Sequence, residues 1–158
     1  MTLSPEQITE LKTMINSALQ KLYIDDFYLI NRHVNERAVV FRFGLYFNVL
    51  LRSSSFLEYN FDCEYNRNMG DPKRTENFPN GVIPDILLHR RNSNEENILV
   101  IEFKGYWSYI NREKDRIKLY DFTNQQYEFK YGLGAFVDLN TTFENTQITY
   151  FINGEQEQ

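Results

Sequence analysis

Two short apolar segments separated by a polar turn constrain the fold of this chain more than any other feature. The first segment spans residues 82–88, the second spans residues 98–104, and the run 91–97 between them consists of Arg, Asn, Ser and Glu. Apolar runs of this length around a polar turn predict two antiparallel strands joined as a β-hairpin. The rest of the fold is therefore expected to assemble around this hairpin.

Charged residues stand inside both predicted strands. Asp85 belongs to the first strand, and Glu102 and Lys104 lie two residues apart in the second, so that these last two share one face of the sheet. A turn centred between residues 93 and 94 pairs Asp85 with Glu102, with Cβ atoms about 5 Å apart. Ionised groups within strands are costly unless something binds them, and a shared divalent cation would do so. The alternative is an exposed Glu102–Lys104 ion pair, with Asp85 as a turn residue.

These residues resemble the active-site motif of the PD-(D/E)XK nuclease superfamily, which has a Pro-Asp on one strand and a Glu-X-Lys on the next. The matching residues here are Pro84, Asp85, Glu102 and Lys104. The resemblance implies a restriction-endonuclease-like αβββαβ core and a metal-dependent nuclease that hydrolyses DNA phosphodiester bonds. It also implies an acidic residue on a preceding helix, and Glu36 stands near the start of a predicted helix.

The resemblance also implies roles for the site residues. The catalytic set is Asp85, Glu102, Lys104 and Glu36, and the metal ligands are Asp85, Glu102, the Phe103 carbonyl and Glu36. Oxygen ligands of this kind suit Mg²⁺, and Mn²⁺ is expected to substitute for it. Lys104 would position or help to deprotonate the attacking water, or stabilise the transition state.

Basic residues of the long polar loop 67–81 and of the hairpin end are candidate contacts for the nucleic-acid backbone, although such residues are as often plain solvated surface. The candidates from the loop and the hairpin end are Arg67, Lys73, Arg74, Arg90 and Arg91, and Lys118 of a predicted helix is added to them. Lys118 follows Asp115 by one helical turn, and the pair either points toward the site or forms an ordinary surface ion pair. Aromatic residues after the second strand, Tyr106, Trp107 and Tyr109, are candidates for stacking on bases.

Other functions stay open at this point. A net charge of −5 argues against a dedicated high-affinity nucleic-acid binder but does not exclude a nuclease. The main alternative is a catalytically silent module of a defence or mobile-element complex that kept the fold, and a weaker one is an RNA or nucleotide substrate. A homodimer or a partner protein would compensate for the missing DNA-recognition module.

The single Cys63 is expected in the core, and neither His33 nor His89 has the spacing of a zinc ligand.

Hydrophobic periodicity predicts a mixed α/β fold of the α+β kind, in which helices flank a central mixed sheet. A helix capped by Ser4 comes first, and the later elements are a helix over 34–51, a strand over 56–66, a helix over 112–129, and strands over 131–139 and 147–152. The helix over 112–129 is expected to connect two parallel strands by a right-handed crossover.

Length and composition fit one domain over 1–158, with 1–30 as an N-terminal helical extension and 154–158 as a frayed tail. No apolar run reaches the roughly 20 residues that cross a bilayer. The amino terminus lacks a signal-peptide pattern. We therefore expect a cytoplasmic protein that does not enter membranes.

Overall fold

The protein folds into a six-stranded mixed β-sheet with helices on both faces, as seen in a computed structural model that describes residues 2–157. The helices are α1 (Pro5–Asp25), α2 (Phe27–Asn31), α3 (Glu36–Leu51) and α4 (Glu113–Thr123). The strands are β1 (Asn60–Cys63), β2 (Arg67–Asn68), β3 (Asp71–Pro72), β4 (Ile86–His89), β5 (Asn97–Gly105), β6 (Leu133–Leu139), β7 (Gln147–Ile152) and β8 (Glu155–Gln156).

The sheet has the order β1-β4-β5-β6-β7-β8, and β2 pairs only with β3. Strands β5 and β6 are parallel, as predicted for the connection through α4, and the other pairs in the sheet are antiparallel. Strand β5 is buried along its whole length because it is central and is covered on both faces. The coarse prediction of a mixed sheet flanked by helices is therefore confirmed.

The predicted hairpin and its register are confirmed. Ile86 pairs with Ile101 and Leu87 pairs with Val100, which places Asp85 one step beyond the ladder, opposite Glu102. The first strand is shorter than predicted, because residues 82–85 do not join the sheet. The proline at position 84 has no N–H to donate to a ladder, and strands commonly begin after such a residue.

Helix α1 begins where the sequence predicts. The Ser4 hydroxyl accepts from the Gln7 backbone N–H, and the Gln7 side chain accepts from the Ser4 backbone, which completes a capping box. The fully buried Leu11, Ile15 and Leu19 place the apolar face of α1 within the main core, largely against α3. The predicted N-terminal helical segment thus packs into the core, and it is followed by the short helix α2, which was not predicted.

Two apolar clusters lie on opposite faces of the sheet. One is formed by α1 and α3 over alternate residues of the central strands, such as Ile101 and Phe103. The other lies beneath α4, where Leu119 and Phe122 pack on Leu87, whose side chain points to the second face. The charged residues of β5 therefore lie under α4 and point away from the larger core.

Several predicted boundaries are wrong. Strand β1 covers only Asn60–Cys63 of the predicted 56–66, and α4 ends at Thr123 because Asn124 leaves the helical conformation. The loop after β1 contains the small β2–β3 hairpin. The predicted frayed tail instead contains β8, which pairs with β7 over Ile152 and Glu155, while residue 158 lies outside the described chain.

Residues near the two ends of the described chain contact each other. Lys12 in α1 forms an ion pair with Glu157, and its ammonium lies 4.6 Å from the centre of the Tyr150 ring. Farther along α1, the Tyr23 hydroxyl donates to the Asn140 carbonyl oxygen at 2.8 Å.

Within residues 2–157, none of the helices has both the length and the apolar character that a membrane span requires.

Candidate active site

A cluster of charged side chains lies at the C-terminal end of β5, between the first turns of α3 and α4. Strand β5 contributes Glu102 and Lys104, α3 contributes Glu36, and α4 contributes Asp115 and Lys118. The parallel β5–α4–β6 crossover brings α4 back over the strand it follows, so its first turns cover the end of β5. Three separate segments therefore meet at one point, together with Asp85 at the start of β4.

The two strand carboxylates are held side by side. Asp85 Oδ2 accepts a hydrogen bond from the Phe103 backbone N–H at 2.7 Å, which fixes Asp85 beside the neighbouring Glu102. Part of the Asp85 surface is exposed, yet its carboxyl group lies deep enough that burial raises its pKa to about 6. The hydrogen bond from Phe103 and the nearby lysines oppose this shift but do not cancel it.

Glu102 is the most buried member of the cluster, with 1% of its surface exposed. Its Oε2 accepts from the Lys118 ammonium at 2.9 Å, whereas its Oε1 has no hydrogen-bond partner among the described residues. Burial raises the pKa of Glu102 well above its ordinary value, and the charge of Asp85 adds to this effect. A buried carboxylate oxygen without a partner is costly, so a ligand that bound Oε1 would stabilise this position.

Lys104 lies between two carboxylates. Its ammonium is 3.4 Å from Glu36 Oε2 and 3.1 Å from Asp115 Oδ2, and only 8% of its side chain is exposed. Burial opposes the positive charge, but Asp115 and then Glu36 outweigh it, so the pKa of Lys104 is raised above its ordinary value. Lys104 is therefore cationic at neutral pH.

Glu36 also binds the backbone of β5. Its Oε1 accepts from the Gly105 N–H at 3.0 Å while its Oε2 faces Lys104. Asn35 caps α3 by accepting from the Arg37 N–H, so Glu36 is the first residue of the helix and is aimed at the end of the strand. Glu36 thus links α3 to both the main chain and the lysine of β5.

Arg112 is a structural contributor that the sequence analysis did not identify. Its guanidinium donates to Asp138 on β6 at 2.8 Å and to the Gly105 carbonyl oxygen at 3.2 Å. Asp138 pairs with Lys104 across the parallel strands, so Arg112 ties the start of α4 to the strand ends that carry the site. A long-range pair of this kind leaves no periodic signal in the sequence.

The carboxylates of the cluster fit a divalent cation. Mg²⁺ uses one or two carboxylates and keeps several waters, and Asp85 with the unpartnered Oε1 of Glu102 offers that donor set. Glu36 is turned to Lys104 and Gly105, and the described residues contain no group of three or more His, Cys, Asp or Glu side chains placed to hold a metal ion. The protein ligands of a cation here would thus be chiefly Asp85 and Glu102.

Lys73, a candidate phosphate contact, is buried with 2% of its surface exposed. Its ammonium lies 4.7 Å from the Phe129 ring centre and 5.6 Å from that of Tyr65, and burial lowers its pKa to about 8. A lysine enclosed in this way cannot reach a phosphate on the surface. The structure therefore does not present Lys73 at the surface, because the rings of Tyr65 and Phe129 cover it.

The remaining basic candidates from the loop and hairpin lie away from the charged cluster. Arg90 pairs with Glu96 at the turn between β4 and β5, which is about 20 Å along the strand from Glu102. Arg91 donates to Asp62 at 2.8 Å. Arg67 precedes Asn68, whose side chain is bonded to Asn94 of that same turn, and Arg74 lines a cavity near the C-terminal end of α4. Of the six predicted contacts, the structure brings only Lys118 to the cluster.

The aromatic residues that follow β5 have different environments. The Trp107 ring stacks on His33 with centroids 5.5 Å apart, and the Tyr106 hydroxyl is 2.7 Å from His33 Nε2. These two rings are therefore engaged in packing, whereas Tyr109 is fully exposed. Cys63, predicted in the core, is exposed because it ends the edge strand β1.

No family model, no curated protein and no solved structure matches this chain. The interpretation of the site therefore depends on its own residues and geometry.

Proposed function

We propose that this protein is a metal-dependent nuclease that hydrolyses DNA phosphodiester bonds, with its active site at Asp85, Glu102, Lys104 and Glu36. The observation that carries the proposal is the fully buried Glu102, one oxygen of which lacks a partner beside a second carboxylate. Proteins rarely leave a buried carboxylate oxygen without a partner unless the group has a function. A bound cation would supply that partner.

We further propose that the fold is the restriction-endonuclease-like core of the PD-(D/E)XK superfamily. The order α3, β1, β4, β5, α4, β6 corresponds to the αβββαβ arrangement of that core. The Pro-Asp precedes β4 and the Glu-X-Lys lies on β5, which are adjacent antiparallel strands. This agreement between motif and strand order supports the proposal.

The residues of the cluster divide the chemistry among them. A divalent cation bound by Asp85 and Glu102 would polarise the phosphate and lower the pKa of a bound water. Lys104 is held in its cationic form by Asp115 and Glu36, which favours stabilisation of negative charge on the phosphate over proton abstraction. Glu36 orients Lys104 and fixes the end of β5.

The test is cleavage of plasmid DNA, single-stranded DNA and RNA in Mg²⁺ or Mn²⁺ by the wild type and by Asp85→Asn and Lys104→Met. We expect the wild type to cut DNA and each variant to lose at least about 100-fold in rate, the lower range for loss of a catalytic group. Lys114→Met is the matched control, because Lys114 is an exposed lysine on the same helix as Asp115 and Lys118.

Each outcome decides the proposal. Cutting that is lost in both site variants and kept in Lys114→Met supports it. Equal cutting by wild type and both variants would mean that another site or a contaminant is responsible. A wild type that leaves every DNA substrate intact contradicts the proposal and favours the catalytically silent module, and cutting of RNA alone reassigns the substrate.

A further inference from the structure

Lys118 contacts two carboxylates at once beneath α4. Its ammonium is 2.9 Å from Glu102 Oε2 and 2.9 Å from Asp115 Oδ1, and 19% of its side chain is exposed. Burial opposes the charge of Lys118, but Glu102 and Asp115 outweigh it and raise the pKa of the ammonium. The i,i+3 spacing of Asp115 and Lys118 places both on the helix face that covers β5.

A single ammonium does not neutralise this site. Lys118 satisfies one oxygen of Glu102 and leaves Oε1 without a partner, while Asp85 adds a further negative charge beside it. Lys104 does not donate to this Oε1, because its ammonium faces Glu36 and Asp115. The Glu102 carboxylate is therefore only half compensated, and its one cationic partner is a helix side chain.

We infer that the Lys118 ammonium is the resident counter-ion of Glu102 and that its charge weakens the binding of a divalent cation to the free Oε1 of this carboxylate. This inference rests on the proposed cation site. Asp115 holds the ammonium in this position, because it binds Lys118 as well. Lys118 is thus a positioning residue that sets the affinity of the site for cations, in place of the phosphate contact suggested by the sequence.

The inference predicts the direction of a change in affinity. Lys118→Met keeps the apolar stem and removes the charge, so a cation no longer competes with an ammonium for Glu102. The probe is Mn²⁺ alone, titrated calorimetrically into the full chain without nucleic acid. We expect Mn²⁺ to bind Lys118→Met about 10-fold to 100-fold more tightly than it binds wild type, as loss of a competing charged hydrogen bond implies. Lys118→Arg, which restores the charge, should return the affinity to the wild-type value or below it.

Lys114→Met again serves as the control and should leave Mn²⁺ affinity unchanged. Lys118→Gln is the second variant, because its amide can still donate to Glu102 without carrying charge. If both neutral variants are unfolded without cation, recovery of the native circular dichroism on addition of Mn²⁺ supports the inference. Failure to recover it overturns the inference.

Unchanged or weaker Mn²⁺ binding by a folded neutral variant also overturns the inference, whether or not the wild type cuts DNA. The proposed function fails by a different measurement, namely the absence of cleavage by wild type. Tighter binding without cleavage would leave a regulated cation site in a protein that is not a nuclease. Cleavage with unchanged binding would keep the nuclease and remove the counter-ion role of Lys118.

Discussion

The Asp85 carboxylate accepts a 2.7 Å hydrogen bond from the backbone N–H of Phe103, although Asp85 itself lies outside the ladder of β4. A side chain at a bend is thereby fixed to the strand that carries Glu102. The contact replaces the regular ladder that the sequence predicted at this position, and it holds the Asp85 carboxyl group beside that of Glu102.

The first prediction follows from the raised pKa of Asp85. Burial raises this pKa from 3.8 to about 6, so the folded state binds more protons than the unfolded state between these values, and stability falls as the pH rises through that window. Asp85→Asn removes the charge and keeps an acceptor for Phe103. We expect it to increase the free energy of unfolding near pH 7 by about 1–3 kcal/mol.

Urea denaturation of wild type and Asp85→Asn near pH 7 and near pH 4 measures this effect. The gain should shrink near pH 4, where the wild-type carboxyl is protonated in the folded state and is close to half protonated in the unfolded state. Asp71→Asn, which changes an exposed acid in β3, should show neither effect. A loss of stability in Asp85→Asn at neutral pH would contradict the prediction.

The second prediction separates two roles of Glu36. Glu36→Gln keeps an oxygen that can accept from the buried Gly105 N–H, whereas Glu36→Ala leaves that group without a partner. We expect Glu36→Ala to lose about 1–3 kcal/mol of unfolding free energy and Glu36→Gln to lose less. Both variants remove one carboxylate from Lys104, so both should cut DNA more slowly.

Thermal and urea unfolding with parallel cleavage assays test this separation. Glu95→Ala changes an exposed acid in the hairpin turn and is the control for the loss of a surface charge. Equal stability of the Gln and Ala variants would show that the Gly105 contact contributes nothing to folding.

The third prediction concerns the close approach of Trp107 to Gly105. A Cβ on Gly105 would lie only 2.5 Å from the Trp107 indole, so Gly105→Ala must displace the ring from its position over the strand and against His33. We expect Gly105→Ala to lower the free energy of unfolding by about 1–3 kcal/mol, as at other overpacked sites. Trp107 is the single tryptophan, so its fluorescence and near-ultraviolet circular dichroism report the displacement directly.

Gly70→Ala is the matched control, because no heavy atom lies within 4 Å of a Cβ at that position. It should change the unfolding free energy by less than about 1 kcal/mol. An unchanged tryptophan spectrum in Gly105→Ala would show that the indole does not pack over this glycine.

The fourth prediction uses the buried Lys73. Burial lowers its pKa from 10.5 to about 8, so at neutral pH the folded state carries a charge that costs stability. The cost is relieved as the pH rises from about 8 toward about 10, because the folded state then loses this proton before the unfolded state does. Relative to Lys73→Met, wild type should gain about 1–3 kcal/mol over this range.

Urea denaturation of both proteins across this range gives the difference directly, since other titrating groups cancel in the comparison. Lys114→Met should show no such pH-dependent difference from wild type. A difference in unfolding free energy between wild type and Lys73→Met that does not change with pH would mean that the lysine keeps its ordinary pKa in the fold.

The sequence determines the centre of this fold better than its periphery. The register that places Asp85 opposite Glu102 was predicted because a polar turn between two apolar runs leaves few ways to pair them. The Ser4 cap was predicted from local chemistry. By contrast, the end of α4 was placed too late, because no proline or glycine directly follows Thr123.

Predictions about side-chain environment failed where distant segments decide it. The polar loop that contains Lys73 suggests an exposed side chain, but Tyr65, just before the loop, and Phe129, after α4, enclose it. The roles of Asp115 and Lys118 were undecided for the same reason, since an i,i+3 pair looks alike on a surface and above a buried strand. Only the placement of α4 over β5 distinguishes the two.

The contact between α1 and the last strands also has a consequence for biosynthesis. Lys12 pairs with Glu157, 145 residues later, and Tyr23 binds the backbone after β6. Helix α1 is therefore synthesised well before the residues that it contacts. Contacts so distant in sequence slow folding, and a chain that has not yet formed them exposes apolar surface. Translation speed and chaperone access during this interval should thus affect the yield of folded protein more than they would for a chain with local contacts.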